Sequence, residues 1–349
     1  MILWGNLPVP PHLLYTLIGR RTADERRGQV GFLSTANIND KLLPGAEASA
    51  DVEVVAVASR DAGRAQAYAR QRGIERSYGS YEELLVDPEV EAVYISLPNS
   101  MHVDWSVRAL EAGKHVLCEK PLSRHPEDVE RAFDAAEKAG RLLMEAFMYR
   151  HNPQTKRLVE LVEGGAIGRL RLVRAAFSFP LDDASNVRLN AELEGGGLMD
   201  VGCYCISGTR LLAGEPESVY GEQVAAASGV DELFTGTLRF PDDVLAEIDC
   251  GLVLPVRDEL EAIGEEGSIF LDDPWHCRTP ALEVRNGDGT ERIELEPVDS
   301  YRLQLENMSA AVRGGEEPLL GREDALGQAR AIEALYRSAD EGRPVSLTS

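Results

Sequence analysis

The chain predicts an α/β protein of two parts: a doubly wound parallel sheet, then an α+β domain with a large, mostly antiparallel open sheet. Three observations carry this. Short apolar, β-favouring runs alternate with helical stretches from Val30 to Ala146, the pattern of βαβ units. After Met148–Pro153 the pattern changes to closely spaced strand-like runs separated by turn signals such as Asn286-Gly287-Asp288-Gly289. Between them, His115-Val116-Leu117-Cys118 runs straight into Glu119-Lys120-Pro121. Proline has no N–H for a ladder, so a buried strand ends there beside a fixed ammonium. In a parallel α/β sheet, that edge is where ligands sit.

Composition bounds the possibilities. At 349 residues the chain accommodates two cores, and 44% apolar content is ordinary for a globular protein. No apolar run is long enough for a membrane-spanning helix. A net charge of −23 argues against nucleic-acid and anionic-membrane partners. Five cysteines, an odd number without a C-x-x-C, read as a reducing cytoplasm. Cys203 and Cys205 lack companions at zinc spacing, so they read as buried thiols, and no metal is expected.

Residues 1–29 are read as an extension outside the core. Its Leu13–Ile18 patch reads alternatively as a short docking helix, and nothing in it resembles a signal peptide. Residues 30–149 are read as a dinucleotide-binding domain and 150–349 as a second, α+β domain. Val30–Leu33 forms the first strand. Ser34-Thr35-Ala36-Asn37-Ile38 occupies the turn where a dinucleotide fold carries its glycines, and none is glycine. Serine and alanine are still small enough for backbone N–H groups to approach a pyrophosphate. An ordinary strand–helix turn is the alternative.

The strand Val52–Ala58 ends at Ser59-Arg60-Asp61. A carboxylate there would hold a ribose 2′-hydroxyl, whereas serine with arginine suits a 2′-phosphate and hence NADP, with NAD as the alternative. Asp61 also reads as the N-cap of the helix Ala62–Arg72. A strand Ala92–Leu97 breaks at Pro98-Asn99-Ser100, and His102 opens the next helix.

The second informative stretch is Gly195-Gly196-Gly197-Leu198-Met199-Asp200-Val201-Gly202-Cys203-Tyr204. The glycines permit close backbone approach, and Asp200 and Tyr204 lie four apart on one helix face. Helix capping by Asp200 and packing by Tyr204 is the alternative. A lysine beside a tyrosine lowers the phenol pKa, which makes Tyr204 a candidate base and Lys120 its activator. Asp200 would hold Lys120 or a neighbouring substrate hydroxyl. Trp275 and His276 are candidate pocket residues, with core or surface roles as the alternative.

In order and spacing, G-F-L-S-T-A-N-I (31–38), L-P-N-S-M-H (97–102), C-E-K-P (118–121) and G-G-G-L-M-D-V-G-C-Y (195–204) resemble the Gfo/Idh/MocA oxidoreductase family. The resemblance is nearest to the subgroup of glucose–fructose oxidoreductase, dimeric dihydrodiol dehydrogenase and NADP-dependent D-xylose dehydrogenase, and covers roughly Val30 to the C-terminus. It implies a Rossmann domain and a nicotinamide cofactor. It further implies a sugar or cyclic polyol substrate, and a homodimer or homotetramer built through the C-terminal sheet. By position it implies catalytic roles for Lys120, Asp200 and Tyr204. It also implies cofactor contacts by Ser34, Thr35, Ala36, Asn37, Ile38, Ser59, Arg60, Leu97, Asn99, His102, Glu119, Lys120 and Arg150. A non-catalytic cofactor-binding regulator and a nicotinamide-dependent glycosidase are the competing functions on this fold.

Overall fold

A computed structural model describes residues 27–347. The readings of residues 1–26, including the docking-helix alternative, lie outside the described residues. Strand β1 covers Gly28–Leu33 and so begins two residues before the expected start, paired from Gly28 with Val52. It is joined by β2 (Val52–Ala58), β3 (Arg76–Tyr78), β4 (Ala92–Ile95), β5 (His115–Cys118) and β6 (Leu143–Glu145). Their spatial order is β3-β2-β1-β4-β5-β6, and every recorded pairing is parallel. The order reverses between β1 and β4, which opens a crevice at the carboxyl ends of those strands.

Local chemistry sets the connecting helices. In α2 (Ala62–Arg72) Asp61 caps the N-terminus by accepting from Arg64 N at 2.7 Å, and Gly73 closes it with a left-handed φ of 68°. Pro126 opens α5 (Pro126–Ala139), where its missing N–H costs nothing. The helices α1 (Asn39–Ala48), α3 (Tyr81–Leu85) and α4 (His102–Glu111) complete the series.

The second sheet comprises β7 (Leu170–Ser178), β8 (Ser218–Ala225), β9 (Asp231–Arg239), β10 (Leu245–Gly251) and β11 (Arg257–Gly264). It continues with β12 (Gly267–Leu271), β13 (Ala281–Asn286), β14 (Gly289–Glu294) and β15 (Val345–Ser346). Its order is β14-β13-β12-β11-β7-β10-β9-β8-β15, antiparallel except where β7 meets β10. Alternation assigns its faces. On β11, Asp258, Leu260 and Ala262 are buried while Arg257, Glu259 and Glu261 point outward. Helix α6 (Pro153–Glu163) precedes this sheet in the chain, and the buried face packs on α7 (Cys203–Ala213). The open face carries ion pairs such as Arg174 to Glu247 at 3.1 Å and Arg257 with Asp249.

The last two helices return to the first sheet. Leu305 and Met308 of α8 (Ser300–Val312) lie against Val30, Val52, Val93 and Leu117, and Ser309 Oγ donates to Asp51 O at 3.0 Å. Helix α9 (Arg322–Glu341) packs on both α5 and α7. A cut at 149/150 therefore divides the sequence more cleanly than it divides the packing. Since Leu305 is only 2% exposed, Leu305→Ala should remove apolar contact from both parts. The expected loss is about 2–4 kcal/mol in a denaturant titration, with the two sheets unfolding together.

Candidate active site

Strand β5 is buried and paired on both sides, and Glu119 N continues the ladder to Ile95 O at 2.9 Å before Pro121 stops it. The loop that follows is tied down at several points. His102, 1% exposed, sets Nδ1 against Pro121 O and Nε2 against Leu97 O, both at 2.8 Å. Burial lowers its pKa, and the two carbonyls oppose that. Leu122 N donates to Glu145 Oε1 at 2.7 Å, and Tyr94 donates its hydroxyl to Glu119 Oε1 at 2.5 Å. His102 thus joins the Leu97 turn to the Lys120 loop with both ring nitrogens already engaged.

The glycine loop has a steric cause. A Cβ on Gly195 would stand 2.2 Å from Arg188 O, and one on Gly196, whose φ is +122°, would stand 2.2 Å from Asp231 Oδ1. Asp231 accepts from Leu198 N at 2.6 Å and from the Tyr336 hydroxyl at 2.7 Å, fixing the start of the segment. Burial pushes its carboxyl up to about 6. The segment opens with a π-helical turn, Leu198–Gly202, before α7. Such widened turns re-aim side chains.

Lys120 and Asp200, 80 positions apart, meet here. Lys120 Nζ donates to Asp200 O at 2.7 Å and lies 3.6 Å from Asp200 Oδ1. The same ammonium sits over the Tyr204 ring, 4.9 Å from its centroid. Arg188 Nε donates to Asp200 Oδ2 at 2.6 Å. Burial opposes charge on Lys120, but Asp200, the Cys203 thiol and Glu119 outweigh it and raise its pKa. Burial likewise opposes charge on Asp200, and Lys120 with Arg188 outweighs it and lowers that pKa. Both groups are therefore charged near neutrality.

Tyr204 departs from the sequence expectation. Its pKa lies well above the ordinary value because burial dominates, reinforced by Tyr301, Glu119, Cys203 and Asp200. Lys120 faces the ring rather than the hydroxyl, and its cation does not offset the burial. Among the described residues the hydroxyl donates only to Met148 Sδ, at 3.5 Å. The ring packs against Phe147, Tyr149, Phe177 and Trp275. Trp275 is wholly buried and its indole N–H donates to Ala176 O at 3.1 Å, so it is floor rather than lining.

At the β1–α1 turn, Ser34 Oγ accepts from Ala36 N at 3.0 Å and contacts Ser96 Oγ at 2.7 Å. Ser96 in turn donates to Asn39 Oδ1 at 2.7 Å, and Asn39 Nδ2 to Ser34 O at 2.9 Å. Side chains thus hold the shape that glycines would otherwise permit. Among the described residues the N–H groups of Asn37 and Ile38 meet no acceptor, and Thr35, Ala36 and Ile38 are partly exposed. Those donors fit a pyrophosphate. Ser59 is buried at the end of β2, and Arg60 is exposed beside it. Asp61 is committed to its helix cap, and the Ser59–Arg60 pair fits a 2′-phosphate.

Asn99 Nδ2 donates to Glu194 O at 2.7 Å, joining this crevice to the glycine loop. Arg150 turns to Asp324 on α9, at 3.3 Å, and none of its recorded bonds is to Lys120, Asp200 or Tyr204. Arg188, Tyr94 and Asp231 belong to the site and were not singled out from the sequence. No local motif marks them, because each acts through a partner 12 to 33 positions away.

Residues 29–147 match the description "Oxidoreductase family, NAD-binding Rossmann fold", and residues 155–270 match "GFO/IDH/MocA C-terminal domain". The chain belongs to the GFO/IDH/MocA oxidoreductase family. It is 40% identical to a D-xylose 1-dehydrogenase (NADP(+)) of Haloferax volcanii, over 91% of this chain and 99% of that one. Among solved structures, the aldose-aldose oxidoreductase of Caulobacter crescentus, complexed with glycerol, superposes with a TM-score of 0.86. That likeness is at 30% identity and covers 92% of this chain and all of the other, 100%. KijD10, a 3-ketoreductase of Actinomadura kijaniata solved with NADP and TDP-benzene, matches at 0.85 and 32% identity, over 90% and 98% of the two chains.

In this family member a second buried acid lies behind the lysine loop. Glu145 is 1% exposed, its Oε2 has no partner among the described residues, and burial, with Asp324 adding to it, pushes its carboxyl up to about 8. Asp324 Oδ2 is likewise buried without a partner. Because the folded pKa is raised, Glu145 ionises less readily than in the unfolded chain. Its favourable contribution is complete below the unfolded value near 4.5 and is lost as pH rises towards 8. Glu145→Gln keeps an oxygen for Leu122 N and cannot ionise. Its melting temperature relative to the parent should therefore climb between about pH 5 and pH 9. A flat difference across that range would mean that Glu145 is not the titrating group.

Proposed function

We propose that the protein transfers hydride between NADP and a hydroxyl-bearing carbon of an aldose or related cyclic polyol, with Lys120, Asp200 and Tyr204 as its catalytic residues. The observation that carries this reading is the convergence of Lys120 on both Asp200 and the Tyr204 ring at the carboxyl edge of the parallel sheet. The Haloferax relative's activity on D-xylose and the Caulobacter neighbour's on aldoses support the substrate class. The Ser59–Arg60 pair, with Asp61 committed to its helix cap, supports NADP.

When bound, the nicotinamide ring accepts or returns the hydride, which leaves the protein to manage one proton and one developing charge. In the reducing direction neutral Tyr204 gives its proton to the carbonyl oxygen. The Lys120 ammonium, on the ring face, stabilises the phenolate left behind. Oxidation is the reverse, with the hydroxyl proton passing to the phenolate. Burial of Tyr204 makes that phenolate scarce near neutrality, so the resting site favours proton donation. Asp200, held by Arg188, keeps the ammonium charged and aimed.

Two measurements test the reading. In an assay that follows NADPH absorbance across pentoses, hexoses and dihydrodiols, Lys120→Met should lower kcat about a thousandfold. Tyr204→Phe should lower it about a hundredfold. In both variants NADP affinity should stay within about threefold of the parent. Turnover at the parent rate in the lysine variant would remove the catalytic assignment. Separately, Arg60→Asp should weaken NADP binding by at least about tenfold while changing NAD binding little, as read by fluorescence titration. Equal weakening of both would dismiss the 2′-phosphate contact.

A further inference from the structure

On the helix-covered face of the second sheet, one aromatic ring away from Tyr204, stands a histidine–aspartate pair with no part in the chemistry above. Asp258 lies on β11 directly across from Phe177 of β7 and is buried on the same face as Leu260 and Ala262. His276 Nδ1 lies 2.5 Å from Asp258 Oδ2. The imidazole meets the Phe177 ring edge-on at 5.4 Å, and Phe177 meets Tyr204 at the same spacing. The His276 side chain is 38% exposed, so the ring reaches solvent at the end of the sheet where Tyr204 sits.

Asp258 fixes the ring. Its Oδ1 accepts from Trp275 N at 3.2 Å, and its Oδ2 faces His276 Nδ1, with Arg278 Nη2 at 3.5 Å. Asp273 lies 3.9 Å from the same ring nitrogen and is bound by Arg278 and by the N–H of Thr279. An arginine inside the cluster, and carboxylate oxygens already taken by N–H donors, make it a poor cation site. What it does supply is orientation: with Nδ1 turned to a carboxylate, Nε2 points away, and among the described residues it meets no partner.

We propose that the His276–Asp258 pair is a specificity-determining contact, in which His276 Nε2 hydrogen-bonds a sugar hydroxyl remote from the reacting carbon. The pair selects among polyols by the position of that hydroxyl. The proposal rests on the aldose or polyol reading of the Lys120 site and deepens it. Phe177, itself buried, lies between the His276 and Tyr204 rings, so His276 is the solvent-reaching polar group one ring away from the phenol of the Lys120 site. An imidazole held this way engages a hydroxyl through Nε2 by a hydrogen bond, with no proton transferred, so the contact serves binding rather than the hydride step.

The test uses the full chain loaded with NADPH. D-xylose, D-glucose and their monodeoxy analogues are titrated calorimetrically, and turnover with NADP is followed in parallel. The parent protein should bind a full sugar about tenfold more tightly than the one analogue that lacks the contacted hydroxyl. His276→Ala should bind those two sugars equally, with KM raised about tenfold and kcat within about threefold. His276→Gln, which keeps a polar group at the position, should restore part of the discrimination. If His276→Ala preserves the parent's ranking of the analogues, or if no sugar in the set binds the parent, the proposal is overturned. Binding that depends on His276 without any NADPH formation would reject the oxidoreductase reading and leave the contact standing.

Discussion

A cation and an anion removed from water, Lys120 and Asp200, hold the arrangement together. Their side chains are 11% and 15% exposed. Either one alone in that setting would be destabilising, and loss of one partner from such a pair typically costs about 3–5 kcal/mol. Together, and with Arg188 on the outer carboxylate oxygen, they are mutually satisfied. The pair joins the tip of the parallel sheet to the helix on the second sheet. The same contact that charges the site therefore also fixes how the two parts meet.

The surroundings explain why that contact is placed reproducibly. On one side, His102 and Glu145 hold the carbonyl and the N–H of the Pro121–Leu122 peptide group, so the lysine loop has little freedom. On the other, Asp231 holds the first N–H of the π-helical turn, and the glycines let Arg188 O and Asp231 approach closer than any side chain would allow. Beneath them Tyr149, Phe177 and Trp275 form a packed aromatic floor around Tyr204. Groups locked in this way need little reorganisation when charge develops on a substrate oxygen. The same burial that gives rigidity also raises the Tyr204 pKa, so rigidity and proton affinity have one physical source.

Much of this was legible in the chain because it depends on local rules. Apolar alternation marked most of the strands, and Asp61 marked the start of a helix. The Glu-Lys-Pro step and the glycine run marked the two loops that meet. The glycine-free turn at Ser34 also reads correctly as a tight strand–helix turn. Its mechanism, a closed set of bonds among Ser34, Ser96 and Asn39, spans 62 positions and has no local signature. The same limit applies to Arg150, whose ion pair with Asp324 is 174 positions distant.

The sequence by itself determined which residue types stand at each sheet edge, and hence the fold class and the candidate ammonium, carboxylate and phenol. Those follow from periodicity and backbone chemistry, which act over a few residues. Only the tertiary structure decided that Lys120 covers the face of Tyr204 rather than its hydroxyl, that Trp275 is floor, and that α8 belongs to the first sheet. Each of these depends on burial and on the relative placement of distant elements. Desolvation is a property of the folded surroundings, and no pattern of neighbours along the chain encodes it.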